Sequence, residues 1–208
     1  MRPVCLQRHP AVAYLFLVRP MKSHLVYFLL SLQLGSLCAI AQAPSATKNG
    51  QPSPEMQKLF NAFLGTWSVT EKIEPNERLP NGGVGEGEVV YRAGPGAVSL
   101  IEEIHLKEPT GEISGLGIAW WDAKAQGYRA LWCNSENPSG CILMAHLAKW
   151  EGDQFVLGDE FERNGKKFEF KEVISEITPT SFTQTLYQGE AGKELKRLLT
   201  IHATKKAK

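Results

Sequence analysis

Four ionisable side chains interrupt runs that are otherwise apolar on one face. Glu102 shares a period-two face with Val98, Leu100, Ile104 and Leu106. Arg197 lies among Leu195, Leu199 and Ile201, His146 among Ile142, Met144, Ala148 and Trp150, and Asp159 between Leu157 and Phe161. Alternate side chains of a strand point the same way. Each of the four is therefore expected to face inward with its apolar neighbours. A buried carboxylate needs a partner or a raised pKa. Converging, the four would make a polar floor in an apolar interior. Arg197 could hold a carboxylate head group there, and Glu102 with His146 could act as acid and base on a bound substrate. The competing expectation for each is a strand end, or a bulge that exchanges the two faces.

Other chemistry finds little support. The sequence has no G-x-S-x-G nucleophile motif, no H-E-x-x-H, no Walker loop and no dinucleotide-binding glycine fingerprint. Gly82 to Gly87 is glycine-rich, but no helix follows to bind phosphate. The lone histidines His105 and His202 read as outward or core residues, and no metal site is expected. Cys133 and Cys141 flank "NSENPSG" and are the only cysteines after residue 41. Their spacing fits neither C-x-x-C redox chemistry nor zinc binding, and a disulfide across a hairpin tip is expected. Five tryptophans serve the chain. Trp120 and Trp121 are adjacent, so one points in and one out. Alternation groups Leu116, Ile118 and Trp120 on one face, and Tyr128, Ala130 and Trp132 on the next strand. With Trp67, these could line a pocket for an apolar or aromatic ligand.

The elements that must position these residues are mostly strands. One helix comes first. Ser53 can cap it, Pro54 and Glu55 suit its first turn, and Gly65 can stop it. Met56, Leu59, Phe60, Phe63 and Leu64 form one apolar face. From Gly65 the period becomes two. Trp67, Val69 and Ile73 share a face opposite Thr66, Ser68, Thr70 and Lys72. Turn signals then recur at short intervals, and the runs between them predict about ten strands with hairpin-length links. "CILMAHLAKW", residues 141–150, is read as one of them. No crossover helix is available for parallel pairing. An up-and-down antiparallel barrel with a short N-terminal capping helix follows, because closure removes both sheet edges. A sandwich is the alternative.

The N-terminus reads as a leader. "LVYFLLSLQL", residues 25–34, follows Lys22, and Ala39-Ile40-Ala41 offers a cleavage site after Ala41. Residues 1–20 read as an over-long start, with Met21 the better one. The domains expected are thus a signal region at 1–41, a flexible linker at 42–53 and the barrel at 54–205. Residues 1–41 hold four of the 23 lysines and arginines and no acids, leaving 19 bases against 22 acids, a net charge of −3. That balance excludes a phosphate-neutralising surface, so nucleic acid is not an expected partner. A secreted or periplasmic protein with no membrane span after cleavage is expected.

Leu64-Gly65-Thr66-Trp67 at the first strand resembles the G-x-W signature of lipocalin-like (calycin) barrels. With Gly115-Leu116-Gly117, Trp121-Asp122, Tyr128 to Trp132, Gly165-Lys166 and "GKELKRLLTI", the chain resembles a bacterial secreted family of unknown function with that fold, over roughly residues 56–205. The resemblance implies a barrel and a hydrophobic cavity, and no established activity. A related class of barrels binds haem through G-x-W-x-G and a C-terminal histidine. Here Val69 replaces the second glycine and His202 lacks a matching context, which leaves haem a minor expectation.

Three functional readings result. The first is non-covalent binding of a small, mostly apolar ligand with an anionic head, with Trp67, Glu102, Trp120, Trp132, His146 and Arg197 inside. The second is an isomerase- or lyase-type enzyme using Glu102 and His146, against which the lack of a nucleophile weighs. The third is a filled barrel serving as an envelope interaction module.

Overall fold

A computed structural model describes residues 51–207 except 138–139. The signal region 1–41, the start at Met21 and most of the 42–53 linker lie outside the described residues.

The helix α1, Pro54–Phe63, begins as its sequence dictates. Ser53 Oγ accepts a hydrogen bond from the Met56 amide at 3.2 Å, satisfying one of the free donors of the first turn. Met56, Leu59, Phe60 and Phe63 are buried. Gly65, at φ +134°, turns the chain into the sheet in a conformation that other residues avoid.

Eleven antiparallel strands follow among the described residues: β1 Gly65–Ile73, β2 Gly83–Ala93, β3 Ser99–Glu108, β4 Gly111–Asp122, β5 Gly127–Asn134, β6 Ile142–Leu143, β7 Lys149–Glu151, β8 Gln154–Arg163, β9 Lys166–Ser175, β10 Ser181–Glu190 and β11 Lys196–Lys205. Their order is β6-β5-β4-β3-β2-β1-β11-β10-β9-β8-β7. Every neighbour but β1 and β11 is also a sequence neighbour, as in an up-and-down meander. The β8–β9 hairpin shows why. Asn164 and Gly165 both have positive φ, 54° and 72°, as a two-residue type I′ turn requires.

One segment brings the two ends of the sheet together, and it departs from the sequence reading. Residues 141–150 are not a single strand. Ile142 and Leu143 pair with Trp132 and Leu131 of β5. The chain then loosens, exchanges two hydrogen bonds between Ala148 and Tyr128 at 2.8 and 2.9 Å, and turns to pair β7 with β8. Asp159 supports this seam by accepting a hydrogen bond from the Ala145 amide at 3.2 Å. A segment that changes partners midway cannot keep one pleat, and this is why the alternation read for it fails.

Cys133 and Cys141 form a disulfide, with Cα atoms 4.2 Å apart. It ties the end of β5 to the start of the seam. For so short a loop the stabilisation is about 2 kcal/mol. The Cys133→Ser, Cys141→Ser double variant should lose about that much in urea denaturation and fray first at β6.

The core lies under α1. Phe63 packs against Tyr91, Phe155 and Phe182 with ring centroids 5.6, 6.1 and 5.7 Å away. Two side chains of the barrel reach up to the helix backbone. Trp67 Nε1 donates to the Phe63 carbonyl at 2.7 Å, and Tyr128 Oη donates to the Glu55 carbonyl at 2.9 Å. Buried polar groups of this kind must find partners, and here they fasten the cap.

Candidate functional site

Beyond the core the barrel encloses a cavity of about 400 Å³, within the range of small-ligand sites. It runs from Leu59 and Phe63 beneath the helix to Glu108 and Glu136 at the other end. Ile, Leu, Ala and Phe side chains make most of its wall, with Trp132 among them.

Cross-strand register explains how bulky groups fit. Tyr91 of β2 stands opposite Glu102 of β3, Glu102 opposite Gly117 of β4, and Gly117 opposite Trp132 of β5. Gly117 has no side chain, and Glu102 folds over it. A Cβ there would lie 2.6 Å from Glu102 Oε2. Gly115 makes the same room for Trp132, whose ring would meet a Cβ at 2.5 Å. Gly85 makes it for Glu71, at 2.8 Å from Oε2. Glycine in a strand interior weakens the strand and marks a close approach. Here it leaves space for polar groups inside the wall.

Three carboxyl groups face this cavity: Glu71, which is buried, and Glu102 and Glu172, which are half-buried. Tyr91 Oη donates to Glu102 Oε1 at 2.8 Å. Burial raises the Glu102 pKa, and the tyrosine hydrogen bond pulls it part of the way back. Burial, followed by the nearby Glu102 charge, pushes Glu172 up to about 8, partly offset by a hydrogen bond with Gln184. Glu71 is 1% exposed. Burial first, then the Glu108 carboxyl beside it, push it up to about 8. Its Oε2 has no hydrogen-bond donor, so a proton there that is shared with Glu108 resolves the conflict between two like charges. Replacing Tyr91 with phenylalanine should leave Glu102 unsatisfied. The expected loss is about 1–2 kcal/mol, with the Glu102 titration moved further up in carboxyl-carbon NMR.

The sequence-derived site residues separate. Glu102 and Trp132 line the cavity. Trp67 is inside but not in the cavity. It is 0% exposed, lies under the helix and packs on Phe182 at 4.8 Å. Trp120 belongs to the other face. The residues of β4 that share a side with Trp132 are Gly115, Gly117, Ala119 and Trp121. The bulky alternation of Leu116, Ile118 and Trp120 pointed to the wrong face because the inner face is the one with glycines. His146 lies in an open outer groove with Asp159, since the chain is not a strand there. Arg197 is exposed and pairs with Glu74 at 2.8 Å. The β10–β11 register shifts between Leu186, opposite Leu199, and Tyr187, opposite Arg197, so Leu198 is skipped and the alternation through Leu199 breaks before it reaches Arg197. Val98 is 54% exposed, outside β3. His105 and His202 are exposed and bond to Ser114 and Thr183. The polar floor of Glu102, Arg197, His146 and Asp159 therefore does not form.

Glu71 and Glu172 take its place, and both were readable. Glu71 has the parity of Trp67, Val69 and Ile73. Glu172 has the parity of Phe168, Phe170 and Ile174. The same alternation that singled out Glu102 marks them.

No protein-family model matches the sequence, and neither does any curated protein. Solved structures do match. The crystal structure of Rv2717c from M. tuberculosis aligns at a TM-score of 0.51 and 15% identity, over 76% of this chain and 100% of that one. The S-type phycobiliprotein lyase CPES from Guillardia theta aligns at 0.50 and 11% identity, over 73% and 93%. A redesigned β-barrel, mFAP0, solved with DFHBI bound, aligns at 0.37 and 14% identity, over 69% and 99%. The first two share the fold, and the described domain is a lipocalin-like β-barrel.

Proposed function

We propose that this protein is an exported lipocalin-like carrier that holds a small, mostly apolar ligand non-covalently in its barrel. One observation carries the reading: a cavity of about 400 Å³, walled by apolar side chains and holding a few buried polar groups. A lumen of this kind is suited to one small ligand. The disulfide is compatible with an oxidising compartment, and no described helix is long and apolar enough to cross a membrane. The anionic head group expected from Arg197 is dropped, because that side chain bonds to Glu74 at the surface. Acid–base work by Glu102 and His146 loses its geometric support, because one faces the lumen and the other an outer groove.

Native mass spectrometry of the protein, followed by organic extraction, tests the reading. A stoichiometric small molecule is the expected result. A bare protein whose tryptophan fluorescence is unmoved by alkyl probes, aromatic dyes and haem would overturn it.

A further inference from the structure

We propose that the ligand enters and leaves the lumen sideways, through the seam between β5 and β8, where residues 144–147 form a strap that Asp159 latches shut. This rests on the carrier reading and adds the route to its site.

Among the described residues no backbone ladder joins β5 to β8. The strap lies between them, belongs to no strand, and is held on the β5 side. The Met144 amide donates to the Ala130 carbonyl at 2.9 Å, and Ala148 pairs with Tyr128. Leu147 packs over Gly127, where an added Cβ would lie 2.8 Å from the leucine Cβ. On the other side β7 covers β8 only from Gln154 to Val156. Beyond Val156 the edge of β8 meets the strap through the hydrogen bond from the Ala145 amide to Asp159 Oδ1 at 3.2 Å. Swinging the strap away from β8 breaks that bond and leaves the ladders of β5 and β8 whole. Openings of this kind lie at the low end of the range of local stabilities.

A second observation is independent of the hydrogen bonding. Leu157 and Phe170 line both the lumen and the outer groove that holds His146 and Asp159. The wall between the two spaces is therefore a single layer of side chains here. From the strap, half-buried Met144 lines the lumen. Its unbranched thioether chain changes shape easily and acts as the plug.

The two ends of the barrel are poorer routes for an apolar body. At one end Trp67 and Tyr128 fasten α1 over the lumen. At the other the lumen runs past the carboxyl groups of Glu71, Glu108 and Glu136, and an apolar body passing there would strip water from them. The seam presents Met144, Leu157 and Phe170 instead, with Leu143, 55% exposed, at the sheet edge beside it.

Stopped-flow fluorescence with N-phenyl-1-naphthylamine, a neutral apolar dye that brightens out of water, makes the test. Asp159→Ala removes the latch. It should raise the association and dissociation rate constants together, by about three- to ten-fold, and leave the affinity unchanged. Asp159→Asn keeps an oxygen acceptor and should stay at the parent rates. Ala145→Pro removes the donor instead and should match Asp159→Ala, so the result does not hang on one variant folding. Arg78→Ala breaks the ion pair with Glu136 at the far end of the lumen and should change neither rate. Parent rates in both latch variants, faster dissociation alone, or acceleration by Arg78→Ala instead would each overturn the inference and leave the carrier reading intact. Failure of the dye to bind the parent protein would overturn both.

Discussion

Trp67→Ala should cost about 3–5 kcal/mol, the ordinary loss for deleting a large buried aromatic. Three roles meet in this side chain. It fills the bottom of the barrel at 0% exposure. Its ring packs edge-on against Phe182. Its indole N–H holds the Phe63 carbonyl at the end of α1. The carbonyl left behind is buried and loses its donor, which adds to the cavity term. For a domain of this size each kcal/mol moves the melting temperature by about 2–4 °C, so a drop on the order of 10 °C is expected. Trp67→Phe keeps most of the packing and loses the hydrogen bond, and should cost clearly less. Limited proteolysis should cut α1 earlier in the alanine variant than in the parent. A loss below about 1 kcal/mol would mean that the helix is not fastened through Trp67.

Raising the pH from about 4.5 to about 8 should progressively destabilise the fold. Glu71 and Glu172 ordinarily titrate at 4.5, and both are pushed up to about 8 in the folded protein. Between those values the folded chain binds more protons than the unfolded one. Stability therefore falls as pH rises, and is level above pH 8. The stabilising protonation is complete below about 4.5. Each group contributes at most about 1.4 kcal/mol per pH unit. Together they should lower the melting temperature by up to about 10 °C per pH unit within this window. Asp122 and Glu190 act elsewhere. The Ala125 amide, followed by Arg129, holds Asp122 below its ordinary range, and Lys193 does the same for Glu190. Both therefore act only at more acidic pH. Glu71→Gln with Glu172→Gln should flatten the profile and, above pH 8, give a protein more stable than the parent. A parent profile already flat between pH 5 and 8 would show that neither carboxyl is protonated in the folded state.

Local rules were enough for much of the architecture. Ser53-Pro54-Glu55, the apolar stripe from Met56 to Phe63 and Gly65 placed α1 to within a residue of its end. Short turn signals and the absence of a crossover helix were enough for an antiparallel meander. Glu102 was legible because its neighbours in β3 alternate without a break, and Glu71 and Glu172 obeyed the same rule. The two cysteines were legible because they flank a hairpin tip and are the only cysteines after residue 41 in a chain read as exported. All of these depend on contacts a few residues apart, or on a period the backbone imposes.

What failed depended on partners far along the chain. Arg197 left the interior because β11 skips a residue where it meets β10, and one skipped residue turns a strand's remaining side chains to the opposite face. His146 left it because residues 142–151 change pairing partners midway. Trp120 was placed on the wrong face of β4 because bulk is a poor guide where a barrel wall needs glycine. Gly115 and Gly117 are inside because Trp132 and Glu102, from neighbouring strands, occupy their space. The sequence alone therefore determined that this chain builds a helix-capped antiparallel barrel with acids on its inner faces. Only the tertiary structure decided which charges meet in the lumen, because register and closure set that meeting, and both are fixed by strands that lie far apart in the chain.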